Sequence, residues 1–184
     1  MQWDFMARGK YNRDYRLIEE FQENGRIRMG TEYIGDAWFF TSGAETVKRE
    51  TKTALVLLIL AAAAFVIALI PRTGMMHKLW IALPFAVTAV PLFLMGDLLF
   101  SLRGFKEPME RRNADKVNNQ FPARALAIAY LSLVSLITET VYLVLYGAAL
   151  SGDIVMTACT AVIFWCALML FRKRARFHAE VKKT

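Results

Sequence analysis

The chain has 184 residues, of which 56% are hydrophobic, and its formal net charge is +7. The apolar residues are gathered into four long runs, which excludes an ordinary soluble domain, where they recur in short periodic sets. The two cysteines and two histidines have no metal-ligand spacing, so we expect neither a metal site nor a cofactor.

The N-terminal 50 residues are predicted to form a small cytoplasmic head, because they contain nine of the 23 aromatic residues. Tyr15 and Phe21 lie on an apolar stripe with helical spacing, and the stripe ends at Asn24-Gly25, a frequent helix stop. We therefore expect an amphipathic helix over residues 12–24.

A β-hairpin is predicted after this helix, with its turn at Gly35-Asp36 between two β-prone runs. In this hairpin Tyr33 would stack on Trp38, with Phe40 on the same face. Fifty residues bury little apolar surface, so the head is expected to rest on its own helix, on the membrane, on the loop 103–124 or on another protein. Its aromatic residues are therefore candidates for docking a partner.

Each of the four apolar runs is about long enough to cross a ~30 Å hydrocarbon core as a helix, which satisfies its own backbone hydrogen bonds. The predicted spans are residues 53–71, 79–102, 125–150 and 154–171. Ser42 and Glu45 have the spacing of a capping box, so the first helix is expected to start near Gly43. The fold class is an all-α integral membrane protein, with a four-helix bundle over residues 51–172 beneath the head.

The basic residues predict the orientation of this bundle. Nine of the 23 Lys and Arg residues precede the first span, six lie in the loop 103–124 and six follow Phe171. Only Arg72 and Lys78 lie in the opposite connections. By the positive-inside rule, we expect a multi-pass plasma-membrane protein with both termini in the cytoplasm.

Two cytoplasmic segments connect or follow the spans. The loop 103–124 is polar, with Pro108 placed to open a short helix and Pro122 to close it, and a solvated connector is favoured over a docking element. The basic tail 173–184 comes directly after the fourth span. A basic cluster in this position favours binding to anionic lipid headgroups over binding to nucleic acid. The residues expected to face lipid are Arg172, Lys173, Arg174 and Arg176.

Three features stand out in the first two spans. The alanines at 61–64 offer a small-residue surface that lets another helix approach closely. Pro84 and Pro91 predict a kink, since each lacks a backbone N–H. Asp97 lies near the cytoplasmic boundary, where we expect it to reach headgroups or pair with Arg103 or a tail arginine.

Glu139 is the exceptional residue, because it lies near the middle of the third span. Charged groups at that depth are costly and usually face the bundle interior. Polar residues recur around it at intervals of three and four, which places them on one helix face. This inward stripe consists of Ser132, Ser135, Glu139, Tyr142 and Tyr146.

Three interpretations of Glu139 are open. It is a protonated hydrogen-bonding group that clamps helices, a coupling acid of a small ion or proton transporter, or the partner of a basic group on another subunit. No Lys or Arg lies within any predicted span, which argues against an ion pair inside the chain.

The sequence contains no H-E-x-x-H, G-x-S-x-G, C-x-x-C or glycine-rich phosphate motif, so catalysis is not expected. The favoured function is a non-catalytic membrane subunit or accessory protein. It would assemble with a partner, or with itself, through the aromatic head and the polar face of the third span. The alternative is a small proton- or ion-coupled transporter or channel that uses Glu139.

Overall fold

The computed structural model describes residues 14–21, 27–104, 107–147 and 151–181. This part of the chain is mostly helical. Its α-helices are α1 (Ala44–Leu69), α2 (Leu79–Val87), α3 (Ala89–Leu102), α4 (Arg111–Asp115), α5 (Phe121–Tyr146) and α6 (Ser151–Arg172). A π-helical turn, Lys116–Gln120, joins α4 to α5, and 3₁₀ turns lie at Met75–His77 and Lys173–Phe177. The strands are β1 (Tyr15–Phe21), β2 (Ile27–Tyr33), β3 (Trp38–Phe40) and β4 (Ala179–Val181).

Four helical segments in the described chain are long and apolar enough to cross a membrane: Ala44–Leu69, Leu79–Leu102, Arg111–Tyr146 and Ser151–Phe177. This confirms the four predicted apolar helices, although the third helical segment starts fourteen residues before its predicted span. Helix-forming polar residues extend the helices beyond the apolar runs. The predicted end of the third span, residues 148–150, lies outside the described residues.

The helices form a bundle in which α6 packs extensively against both α1 and α5. The α2–α3 segment covers α5, and α3 also contacts α1. Ala61 and Ala64 are buried, whereas Ala62 and Ala63 are exposed, so the alanine run supplies a close-packing face on one side only.

The predicted kink is a break at Thr88, between α2 and α3. Pro91 has no backbone N–H to donate to the carbonyl four residues earlier, so the regular helical hydrogen bonding is interrupted before it. The Thr88 hydroxyl donates to the carbonyl of Pro84 at 2.9 Å, and the backbone N–H of Thr88 lies 3.3 Å from the same oxygen.

The head differs from both of its predicted elements. The amphipathic helix over 12–24 is wrong for its described part, because β1 pairs antiparallel with β2 from Tyr15↔Tyr33 to Phe21↔Ile27. The remaining residues of that helix lie outside the described chain. A segment of seven residues has little helical stability of its own, so pairing with a complementary strand decides its structure.

The hairpin at Gly35-Asp36 is also wrong. Tyr33 donates its hydroxyl to the carbonyl of Asp36 at 2.9 Å, and Gly35 lies against the Tyr33 ring, so the chain curls over that side chain. Trp38 therefore does not face Tyr33 across a ladder. Instead β3 pairs antiparallel with β4, in register Trp38↔Val181, and its other side bridges Met109.

The start of α1 agrees with the sequence prediction, but its cap does not. The N-cap residue is Gly43, with φ of 78°, and no side-chain cap bond forms there. The positive φ suits glycine, and the turn that leads out of β3 provides the entry to the helix.

Candidate functional site

The centre of the candidate site is Glu139 on α5, whose side chain is fully buried at 0% exposure. Its Oε1 atom accepts a hydrogen bond from the hydroxyl of Thr160 on α6 at 2.9 Å. Its Oε2 atom is buried and has no hydrogen-bond partner of good geometry among the described residues. The Thr157 hydroxyl also interacts with this carboxyl group. The site therefore joins α5 to α6 through one well-formed bond.

The hydroxyl of Thr160 also lies 3.0 Å from the carbonyl oxygen of Met156. A hydroxyl carries one proton, so it donates either to Glu139 or to Met156. In the second arrangement a protonated Glu139 donates to the Thr160 oxygen. The pair can thus accommodate both forms of the carboxyl group by rotating one hydroxyl.

No basic side chain among the described residues forms an ion pair with Glu139. The ion pairs of the described chain lie at its head and outer surfaces. The described polar groups that interact with the buried acid are therefore the hydroxyls of Thr157 and Thr160 on α6.

The rest of the predicted stripe divides into an inner and an outer part. Ser132, Ser135 and Tyr142 are buried, whereas Tyr146 is 62% exposed. Both serines donate to carbonyls of their own helix. Ser132 donates to Ile128 at 2.7 Å, and Ser135 donates to Leu131 at 3.0 Å. Tyr146 lies on Tyr142, with ring centroids 5.0 Å apart, and Lys78 lies over its outer face. Apart from Tyr146, the stripe is buried within the bundle and is not available to another subunit.

Asp153, at the start of α6, is a buried polar residue just before the predicted fourth span. Its Oδ1 atom accepts from the Thr73 hydroxyl at 2.5 Å and from the backbone N–H of Gly74 at 2.9 Å. These bonds hold residues 70–78, the link between α1 and α2, against α6. The four- and three-residue spacing of Asp153, Thr157 and Thr160 was the available signal, because it places them on one helix face.

Gly152 allows this close approach. A Cβ atom at this position would lie 2.1 Å from the carbonyl oxygen of Arg72, so no larger residue fits without moving the link. The hydroxyl of Tyr142 lies against Gly74 in the same way. A series of buried polar groups therefore runs from Ser132 past Glu139 to Asp153.

The aromatic residues of the head contact the rest of the chain. Phe40 is buried and Trp38 packs partly buried against the core. Tyr15 and Tyr33 pack edge to face, with ring centroids 5.3 Å apart. The side chain of Phe21 lies outside the described part of the structure.

The segment 103–124 is the surface that holds the head, so the solvated-connector prediction is wrong. Tyr15 donates to Glu110 at 2.5 Å, and the Tyr33 hydroxyl accepts from the N–H of Arg111 at 2.9 Å. Burial, followed by the bond to Glu110, raises the pKa of Tyr15 to about 12. Pro122 does not close a helix, because it occupies the first turn of α5, where a missing N–H is tolerated.

The basic tail is also folded onto the head. Lys173, predicted to face lipid, donates instead to the carboxylate of Glu50 on α1. The other three basic residues are exposed, and Arg174 lies over the Phe171 ring at 4.3 Å. Beyond them, Phe177 packs on Phe121 and the chain enters β4.

Asp97, the predicted boundary acid, is exposed on α3. It interacts electrostatically with Arg124 of α5, and it forms no ion pair with Arg103 or the tail arginines within the described residues. Arg124 itself donates to the carbonyl of Leu94 and to Gln120. These contacts tie α3 to α5 at the end of the bundle that carries the head.

No cluster of three or more His, Cys, Asp or Glu side chains in the described chain has the arrangement of a metal site. Comparison with known proteins found no matching family model, no similar curated protein and no similar solved structure.

Proposed function

We propose that the protein is an integral membrane protein, with four helices crossing the bilayer and with its head in the cytoplasm. The supporting observation is the outer face of the bundle, where large apolar side chains are exposed on every long helix. Examples are Ile59 on α1, Phe93 on α3, Ile137 on α5 and Trp165 on α6. The basic residues are concentrated at the head end, which supports the orientation.

Within the membrane the protein acts as a non-catalytic subunit that binds a protein partner through the β1–β2 ribbon. The observation that carries this proposal is the topology of the ribbon. Within the described chain it is a two-stranded sheet, separate from the β3–β4 sheet. No other strand of the described chain pairs with either of its edges, so the outward backbone groups can add a strand from another protein.

This ribbon replaces the docking surfaces expected from the sequence. The polar face of α5 is buried against α6, and Phe40 and Trp38 pack within the chain. An isolated two-stranded ribbon is marginal in water, so a third strand from a partner would stabilise it.

The register shows which backbone groups face outward. Ile34 donates its N–H to the carbonyl of Asp14 at 2.8 Å, so this is a hydrogen-bonded pair. Hydrogen-bonded and non-bonded pairs alternate along an antiparallel ladder. Arg16↔Glu32 is therefore bonded, and the next pair, Leu17↔Thr31, directs its N–H and C=O groups to the two edges.

Thr31→Pro tests the proposal, because it removes an outward N–H without breaking a ladder bond. Thr31→Val is the matched control, since it keeps the N–H and the side-chain shape. We expect a stoichiometric partner to co-purify in mild detergent with the wild type and with Thr31→Val, but not with Thr31→Pro. A wild-type protein that is a clean monomer by native mass spectrometry would contradict the subunit proposal.

A second candidate function is proton- or ion-coupled transport through Glu139. It is favoured by the buried Oε2 atom, which lacks a well-formed hydrogen bond, and by the two arrangements open to Thr160. In reconstituted vesicles, Glu139→Gln is expected to abolish proton-coupled flux and to retain the folded bundle. Asp97→Asn, which changes the exposed boundary acid, is the control and is expected to retain flux. Wild-type vesicles without flux would eliminate this candidate.

A further inference from the structure

We propose that the groove between α1 and α3 binds one anionic phospholipid, with the phosphate at the head end and an acyl chain along the two helices. This inference rests on the membrane placement proposed above and does not depend on the β1–β2 ribbon or on Glu139.

The head end of the groove is a cleft of about 430 Å³ between the first turns of α1, the end of α3 and Glu107. Its charged lining consists of Glu45, Lys48, Arg49, Lys52, Arg103 and Glu107. Both acids are engaged within the chain: Glu45 pairs with Lys48 at 3.1 Å, and Glu107 accepts the N–H of Phe40 at 3.0 Å. The cleft therefore has an excess of positive charge.

Arg49 and Lys52 are exposed and form no ion pair with the described residues. Arg103 lies over the Phe100 ring at 5.5 Å, a contact that leaves its guanidinium N–H groups available to an anion. Lys52 precedes the apolar part of α1, and Arg103 follows the last residue of α3. These three cations therefore surround the level at which a lipid phosphate lies.

Below the cleft, the same two helices form an apolar groove of about 240 Å³. It is lined by Leu58, Ala62, Phe65, Val66, Ala89, Leu92 and Phe93. Leu58 begins ~9 Å below Lys52 along the axis of α1, a distance that an acyl chain spans easily. Gly96 lies on α3 between the cleft and the groove, and its nearest neighbour across the helices is Leu58.

A phospholipid fits both parts of this surface at once. Its phosphate matches the excess of cations, and its chain matches the apolar groove at the depth of the hydrocarbon core. A free phosphate would use only the cleft, and an apolar helix from a partner would use only the groove. The placement of both parts along one helix pair, the cleft at the head end and the groove below it, selects the lipid.

The experiment measures lipid binding by native mass spectrometry of the full chain, delipidated in mild detergent and titrated with phosphatidylglycerol or phosphatidylcholine. Arg49→Gln combined with Lys52→Gln removes two cations of the cleft, and Arg172→Gln combined with Arg174→Gln removes two from the tail. We expect one phosphatidylglycerol per chain, and roughly tenfold weaker binding for the cleft variant only. Equal weakening by the tail variant would overturn the site.

A second pair of variants tests the groove. Ala62→Phe fills it, whereas Ala63→Phe places the same side chain at an exposed position that does not line the groove. Only Ala62→Phe is expected to weaken phosphatidylglycerol binding. Glycerophosphoglycerol, which has no acyl chain, should bind far more weakly than the lipid, and equal binding would show a soluble-anion site instead.

Membrane placement is checked separately by alkaline carbonate extraction of membranes. We expect the wild type and all variants to stay in the membrane pellet. Extraction of the wild type would remove the membrane proposal and the lipid site with it. A pelleted protein without phosphatidylglycerol preference would overturn the lipid site alone.

Discussion

Thr160 makes the one well-formed hydrogen bond to the carboxyl group of Glu139, so the strength of this contact can be measured by a single substitution. Thr160→Val keeps the side-chain shape and removes the donor. Because the buried acid then loses its well-formed hydrogen bond, we expect the free energy of unfolding to fall by about 1–2 kcal/mol. Thermal or denaturant unfolding in detergent measures the change.

The control for this substitution is Thr140→Val on α5, next to Glu139. Thr140 is exposed and donates to the carbonyl of Leu136 within its own helix. Its replacement should change stability by less than about 0.5 kcal/mol. If both variants unfold alike, the contact between Glu139 and Thr160 does not hold α5 to α6.

Tyr15 gives the head a predicted sensitivity to alkaline pH. Its pKa is raised from 10.0 to about 12 in the folded chain, first by burial and then by Glu110. The folded pKa of Tyr15 lies above its unfolded pKa, so the protonated hydroxyl stabilises the folded state. This stabilisation is complete below pH 10.0 and is lost as the pH rises through about 12. Burial also raises the pKa of Tyr33, which acts in the same direction.

Tyrosine absorbance during a pH titration checks this prediction. The wild type should show a component near pH 12 that Tyr15→Phe lacks and that Tyr130→Phe, at an exposed position, retains. A wild-type titration without this late component would show that Tyr15 is not held against Glu110.

Glu139 could be identified from the sequence because a single charged residue within an apolar run is costly to place in a membrane and usually faces the bundle interior. Its partner Thr160 could not, since threonine is common in such helices and its pairing depends on the rotation of α6 against α5. Asp153 was missed for a different reason. It lies at a helix start, where an acid is ordinary, and its burial arises from contact with a link 80 residues away in sequence.

At the scale of elements, the long helices were predictable and the strands were not. A helix bonds to itself, so an apolar run of sufficient length specifies it. A strand needs a partner, and β3 finds its partners at Met109 and in β4, far along the chain. Local turn signals such as Gly35-Asp36 therefore predicted the wrong pairing.

Asn118 holds β4 in place from the side opposite β3. Its amide donates to the carbonyl of Ala179 at 2.8 Å and accepts the N–H of the same residue at 2.9 Å. The side chain thus replaces one residue of a third strand. It projects from the π-helical turn Lys116–Gln120, an irregularity often found where a helix carries a specific function.

Asn118→Ala is therefore expected to release the C-terminal tail. Both backbone groups of Ala179 lose their partners, and trypsin should cut at Arg174 and Arg176 much faster, by roughly an order of magnitude if the local opening energy falls by ~1.4 kcal/mol. Mass spectrometry of a digestion time course measures the rate. Asn119→Ala, at the exposed neighbouring position, should be cut like the wild type, and equal rates for both variants would contradict the role of Asn118.

At the scale of the molecule, one end of the bundle gathers most of the folded polar structure. The segment Arg111–Tyr146 has 36 residues, or ~54 Å of helix, which exceeds a ~30 Å hydrocarbon core. Its surplus extends at the head end, where it holds Tyr33 and β4, and Glu110, just before the segment, accepts the bond from Tyr15. At the opposite end, the described residues outside the long helices are those of the link 70–78 and Gly147.

This asymmetry gives a prediction about topology that a labelling experiment can test. The cysteines are Cys159, which is half-buried, and Cys166, which is buried. After Cys159→Ala and Cys166→Ala, single cysteines are introduced by His77→Cys in the link or by Asn119→Cys at the head end, both exposed positions. A membrane-impermeant maleimide should label His77→Cys in intact cells and Asn119→Cys only after permeabilisation. The reverse pattern would show that the head faces outward, and the positive-inside argument would then fail for this chain, because 21 of its 23 basic residues would lie on the wrong side.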